Sequence, residues 1–198
     1  HPNVCRLHDL VEVDGLWLIT MEHVEGESLA GRLRRGGALP VDESLRILRD
    51  VAAGLAAAHR AGVVHRDLKP ANVLLLAGEG RAIVADFGIA AETRRGTGAV
   101  AVVDVDVAGT RGYMAPEQAA GRAVDARSDV YAFGVLAHRM LTGELPWSAP
   151  THLRATDVNA PPAGALASAP PALVGLIDEC LAASPADRPN RAPLIRTG

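Results

Sequence analysis

The stretch VVHRDLKPANVLLL, residues 63–76, contains Lys69, the only lysine in a chain of 198 residues that carries nineteen arginines. A sequence that avoids lysine so thoroughly keeps this one for a reason. The ammonium is a compact point charge on a flexible stem, and a planar guanidinium does not reproduce its geometry. The stretch ends in the apolar run VLLL, which reads as a short strand. A second such piece, AIVAD (82–86), follows the turn residues AGEG.

Working outward, residues 40–61 form the clearest helical pattern. Asp42 and Glu43 lie in its first turn, Leu45, Leu48, Ala52, Leu55 and His59 recur at three and four, and Gly62 ends it. Upstream, LHDLVEV, Asp14-Gly15 and LWLITM predict two strands and a tight hairpin. After VEGESL a short polar helix stops at Gly36-Gly37. Downstream, 89–115 reads as an extended loop, 128–141 as an apolar helix stopping at Gly143, 146–171 as mostly loop, and 171–183 and 190–196 as a last helical pair. Strands come first and helices later, the order of an α+β fold with segregated halves. No linker divides the chain, which is long enough for one domain with a substantial core.

Net charge is −3 and the pI about 6.2, which gives no reason to expect nucleic acid or an acidic membrane surface as partner. No apolar run approaches the roughly 20 residues of a membrane span. Cys5 and Cys180 lie far apart with no CxxC, as reduced thiols of a cytoplasmic protein do. The first residue is His1, so the chain is expected to begin inside a gene product, and missing targeting segments carry little meaning.

Five blocks in order and at matching spacing decide the family: HRDLKPAN (65–72), DFG (86–88), GTRGYMAPEQ (109–118), SDVYAFG (128–134) and ADRP (186–189). Together they resemble the eukaryotic-like serine/threonine protein kinases over essentially the whole chain. Its composition, rich in Ala, Gly, Pro and Arg, points to a bacterial genome. The resemblance implies a two-lobe kinase-like fold: 1–24 a remnant of the small lobe and hinge, with its β-hairpin, and 25–198 the helical large lobe. It implies ATP and magnesium, or manganese in its place, as cofactors, and Ser/Thr-bearing proteins as substrates. A second kinase could serve as dimer partner.

The same resemblance assigns roles. Asp67 is the base that receives the hydroxyl proton, Lys69 neutralises the γ-phosphate, and Asn72 and Asp86 offer the oxygen donors that magnesium takes. Thr110 helps to hold Asp67 and Lys69. Met21 closes the back of the nucleotide pocket, backbone groups of Glu22 and Val24 bond adenine, and Leu74 packs beneath it. His65 and Phe87 stack in a column with Leu7 above and Asp129 below. Glu117 and Arg188 form a structural ion pair. Plainer alternatives stand beside some of these: Met21 and Val24 also suit the end of a buried strand, and His65 a satisfied core histidine.

Regulation is expected at Arg66, which can bind a phosphorylated or acidic residue of the segment after DFG. Asp104, or failing that Asp106, would supply one fixed charge, although both also suit solvated loop acids. Thr93 and Thr97 are the candidate phosphosites. The family pattern fails upstream: the glycine-rich loop, the strand lysine and its partner glutamate do not occur in these residues. Truncation of a longer kinase gene is the favoured explanation, and a truncated pseudokinase or scaffold the rival. The chain by itself is therefore expected to be inactive.

Overall fold

A computed structural model describes residues 1–14, 16–87, 112–147 and 166–190. The first element is the anticipated hairpin. Strand β1 (Leu7–Val13) pairs antiparallel with β2 (Leu16–Met21), from Val13↔Leu16 to Leu7↔Met21 with one irregularity between Leu7 and Asp9. Asp14 supplies the turn with φ 52°. All of β1 is exposed, and Leu10, Val11, Val13 and Leu18 present apolar surface to solvent.

A second sheet has the order β3-β4-β5 and is antiparallel throughout. Strands β4 (Val73–Leu76) and β5 (Ala82–Val84) are the two pieces read from sequence. Strand β3 (Gly26–Ser28) is not, because GES has no β-forming side chain and is extended only by pairing with Leu74–Leu76. On the other side, Cys5 N–H donates to Val84 O and Val84 N–H to Asn3 O, so the chain start adds a short bridge to β5.

Ser28 ends β3 and caps helix α1 (Leu29–Gly36), its hydroxyl accepting the Gly31 N–H. Gly37, at φ 63°, closes α1 with its N–H on Leu33 O. Helix α2 (Val41–Arg60) buries Ile47, Leu48, Val51, Ala52 and Leu55 along one face. A short helix α3 (Pro116–Ala119) precedes α4 (Ala126–Thr142), which Asp125 caps and left-handed Gly143 ends. Helix α5 (Pro171–Cys180) stops earlier than the 183 anticipated, and Pro185–Asp187 forms a single tight turn. The expected loop over 89–115 and helix over 190–196 lie mostly outside the described residues.

Helix α4 is the centre of the core. It is buried nearly all round, from Ser128 to Ala137 without interruption, and packs on both α2 and α5. Two close approaches within the longer helices require glycine. A Cβ on Gly54 of α2 would lie 2.5 Å from Asn3 O, and one on Gly134 of α4 would lie 2.8 Å from Cys180 Cβ. Glycine costs about 1 kcal/mol of helix propensity relative to alanine, which these contacts offset.

Gly134→Ala therefore overpacks α4 against α5. The expected cost is about 1–3 kcal/mol, read as a lower urea midpoint with an unchanged slope.

Candidate active site

The residues singled out in HRDLKPAN come together by local hydrogen bonding. Asp67 Oδ2 is 2.9 Å from Lys69 Nζ. Asn72 lies in a tight turn (Pro70–Asn72) leading into β4, and its Nδ2 donates to Asp67 O at 2.8 Å and to Oδ2 at 3.3 Å. Both amide protons thus face Asp67, which leaves the Asn72 amide oxygen to turn elsewhere. The β4–β5 ladder continues past its ends: Ala85 N–H donates to Asn72 O at 2.9 Å. Asp86 is the next residue, exposed and at φ 57°, a left-handed conformation uncommon for a non-glycine residue. Two hard oxygen donors, Asn72 and Asp86, thus stand at adjoining ends of neighbouring strands.

His65 joins these pieces. Its Nδ1 accepts the Asp67 N–H at 3.2 Å, so the proton sits on Nε2, which donates to Ala85 O at 3.0 Å. Its ring lies 4.6 Å from that of Phe87 at 43°. Burial pushes the His65 imidazole below its ordinary value, and Asp129 opposes this only in part. Asp129 does extend the column, through hydrogen bonds rather than stacking: Oδ2 and Oδ1 accept the N–H groups of His65 and Arg66, both at 2.8 Å. Leu7 lies on the solvated hairpin and is 50% exposed.

Residues 22–25 run between the two sheets. Glu22 N–H donates to Arg6 O, and the Glu22 carboxylate accepts the Arg6 N–H at 2.9 Å. Among the described residues the Glu22 carbonyl faces only the Cys5 thiol, at 3.9 Å. Among the described residues no backbone hydrogen bond engages Val24, so its N–H and C=O are available to a ligand. Val24 and Leu74 pack with Cys5, Ile83 and Ala85 into a small apolar floor. Met21 ends β2 and is 39% exposed, not part of a buried strand.

Glu117 and Arg188 are paired and buried. Arg188 Nη1 and Nη2 donate to the two Glu117 oxygens at 2.7 and 3.0 Å, and Ser128 Oγ donates to Oε1 at 2.6 Å. Burial alone would raise the Glu117 carboxyl, but the bonds from Arg188 and Ser128 outweigh it and hold it below its ordinary value.

Two participants were not legible in the sequence. His59 reads there as one more position of an apolar repeat, yet its Nε2 lies 2.7 Å from Asp129 Oδ2. Gln118 reads as the last residue of GTRGYMAPEQ, yet its Nε2 donates to Arg66 O. No spacing rule signals either, because both partners are distant in sequence. Arg66 is at φ 68°, and its Nε is buried without a hydrogen-bond partner among the described residues. Thr110, Thr93, Thr97, Asp104 and Asp106 lie outside the described residues.

Residues 1–197 match the model of the protein kinase domain. The chain belongs to the protein kinase family. It is 36% identical over 200 residues, 99% of its length, to serine/threonine-protein kinase PkaA of Streptomyces coelicolor, covering 36% of that protein. It is 45% identical over 154 residues, 76% of its length, to serine/threonine-protein kinase pkn2 of Myxococcus xanthus, covering 18% of it. Among solved structures, the kinase domain of Mycobacterium tuberculosis PknI matches with a TM-score of 0.73 at 33% identity, over 97% of this chain and 68% of that one. The chain spans well under half the length of these two curated relatives. The domain is thus of the bacterial serine/threonine kinase type, with the kinase-like α+β fold. Among the described residues no helix is long and apolar enough to cross a membrane.

Two histidines predict a pH dependence of stability. Burial lowers both His65 and His138, the latter despite Glu144 and Asp178 nearby. The unfolded chain, with ordinary histidines near pH 6.5, takes up these protons first. Stability is therefore expected to be full above about pH 6.5 and to fall as the pH drops below it. Urea midpoints at about pH 7.5 and 5.5 check this, and His138→Gln should flatten the difference between them.

Proposed function

We propose that this domain transfers the γ-phosphate of ATP to serine and threonine hydroxyls of proteins, on the cytoplasmic side. One observation carries the reading. A single loop holds Asp67, Lys69 and Asn72 in mutual contact, and the Ala85 N–H on Asn72 O brings Asp86 beside them. Phosphoryl transfer asks for little covalent help from the protein and depends on positioning and charge. Asp67, 41% exposed, can accept the proton of an incoming hydroxyl as its oxygen bonds phosphorus and the bond to the ADP oxygen breaks. Lys69 directs positive charge to the same point and holds Asp67 in orientation. The Glu22 carbonyl and the unpaired Val24 backbone suit the edge of an adenine, over the floor that includes Leu74.

Asn72 and Asp86 fit a divalent cation by donor type and by adjacency; magnesium, or manganese in its place, would neutralise charge on the phosphate oxygens. Arg66 suits a regulatory anion. The residues proposed to meet it are Asp104 or a phosphorylated Thr93 or Thr97, and Thr110 is proposed to steady Asp67.

A second reading, a kinase-shaped binding module without turnover, draws on two observations. The 198 residues contain no lysine besides Lys69, and both faces of the β1–β2 hairpin leave apolar side chains in solvent. Both are consistent with a chain that lacks the lid over ATP. By itself it is expected to bind Mg-ATP poorly and to turn over negligibly. Calorimetric titration of the purified 198-residue chain tests this; a micromolar dissociation constant would overturn it.

The readings separate in the full-length gene product. Asp67→Asn should lower kcat by about 10²–10⁴-fold with ATP affinity nearly unchanged. Asp86→Asn should weaken metal-dependent nucleotide binding as well. Equal loss of nucleotide affinity in both would sink the division of roles, and absence of turnover in the unmutated protein would favour the binding module.

A further inference from the structure

We infer that Gln118 is a positioning residue for Asp67, acting through the peptide bond between Arg66 and Asp67. The argument begins with strain. Arg66 is held at φ 68°, a conformation that disfavours any side chain with a Cβ and persists only where its surroundings enforce it. The enforcement is visible atom by atom. On the near side, Asp129 accepts the His65 and Arg66 N–H groups and anchors them to α4. On the far side is the 66–67 peptide, whose rotation would swing Asp67 away. Its N–H donates to His65 Nδ1 at 3.2 Å, a long contact. Its carbonyl accepts from Gln118 Nε2 at 2.8 Å, the shorter of the two.

Gln118 can impose that orientation because its own is determined. Its Oε1 accepts the Ala115 N–H at 3.1 Å while Nε2 donates to Arg66 O. One partner can only donate and the other only accept, so the amide has a single satisfying orientation. Its neighbour Glu117 is locked by Arg188 and Ser128, so α3 is fixed to the core. The amide thus transmits the position of α3 to the carboxylate proposed as base. This function rests on the kinase reading for its consequence in turnover, but the restraint on the 66–67 peptide does not.

Gln118→Glu is the discriminating variant. It keeps the size and the acceptor for Ala115 N–H and opposes Arg66 O with an oxygen instead of a donor. Gln118→Met, which removes both bonds without charge, accompanies it. In the 198-residue chain, hydrogen exchange by NMR should show the Asp67 amide exchanging about tenfold faster in Gln118→Glu, the scale of one weakened hydrogen bond. Amides of α4 such as Val135 should be unchanged. In the full-length product, kcat should fall about tenfold to a hundredfold, the effect of a small misplacement of a reacting group, with KM for ATP steady. Unchanged exchange at Asp67 overturns the proposal whether or not the protein turns over. So does parallel acceleration at Asp67 and Val135 in both variants, which would make Gln118 merely structural. Absence of activity in the unmutated protein, with the Asp67 amide responding as stated, overturns the kinase reading and leaves the restraint intact.

Discussion

The carboxylate of Asp129 is the reference point of the whole arrangement. It has no solvent exposure, and it meets three N–H groups: the His65 and Arg66 amides and the His59 ring. A buried carboxylate is costly unless its oxygens are satisfied, and here the satisfying groups belong to the loop that carries Asp67. Helix α4 is buried nearly all round, so the loop that carries Asp67 is referenced to a tightly packed part of the fold. His59 extends the tie to α2. Its Nδ1 is buried with no hydrogen-bond partner among the described residues. Because the carboxylate serves all three at once, moving any of them leaves a buried polar group unsatisfied.

A second anchor serves α3. Arg188 uses its guanidinium completely: two bonds to Glu117, and others to the carbonyls of Ala182, Ala183 and Arg127. The plane also lies 4.8 Å from the Tyr131 ring centre. Lysine has neither the fork nor the face for this set, which accounts for arginine at Arg188 in the same way that a point charge accounts for lysine at Lys69. A buried pair of this kind contributes less to net stability than to specifying one arrangement. Here the arrangement specified is the contact of α3 with the loop that carries Asp67.

The hairpin stands in contrast. Pairing of β1 with β2 satisfies their facing backbone groups, but Leu7, Leu10, Val11, Val13 and Leu18 remain exposed. Its tie to the rest of the molecule runs through Arg6, Glu22 and the short bridge from Asn3 to Cys5 onto β5. The proposed adenine edge at Glu22 and Val24 lies where this weakly covered hairpin meets the sheet of the large core. The pocket floor is therefore better defined than anything above it.

By itself the sequence determined what local chemistry can determine. The Asp14 turn, the α2 repeat, the Gly37, Gly62 and Gly143 stops, and strands β4 and β5 all follow from short-range steric and periodic rules. The members of HRDLKPAN and DFG were legible for a related reason: they are close in the chain, and β4 and β5 pair next to each other. Tertiary structure decided the rest. Strand β3 exists only because β4 offers it a ladder. Gly54 and Gly134 are required only by backbone and side chains brought against them from elsewhere. His59 and Gln118 acquire their roles from partners 70 and 52 positions away. Periodicity carries no information about which distant group will need a buried donor, so these contacts became visible only when α2, α3 and α4 were packed around one carboxylate.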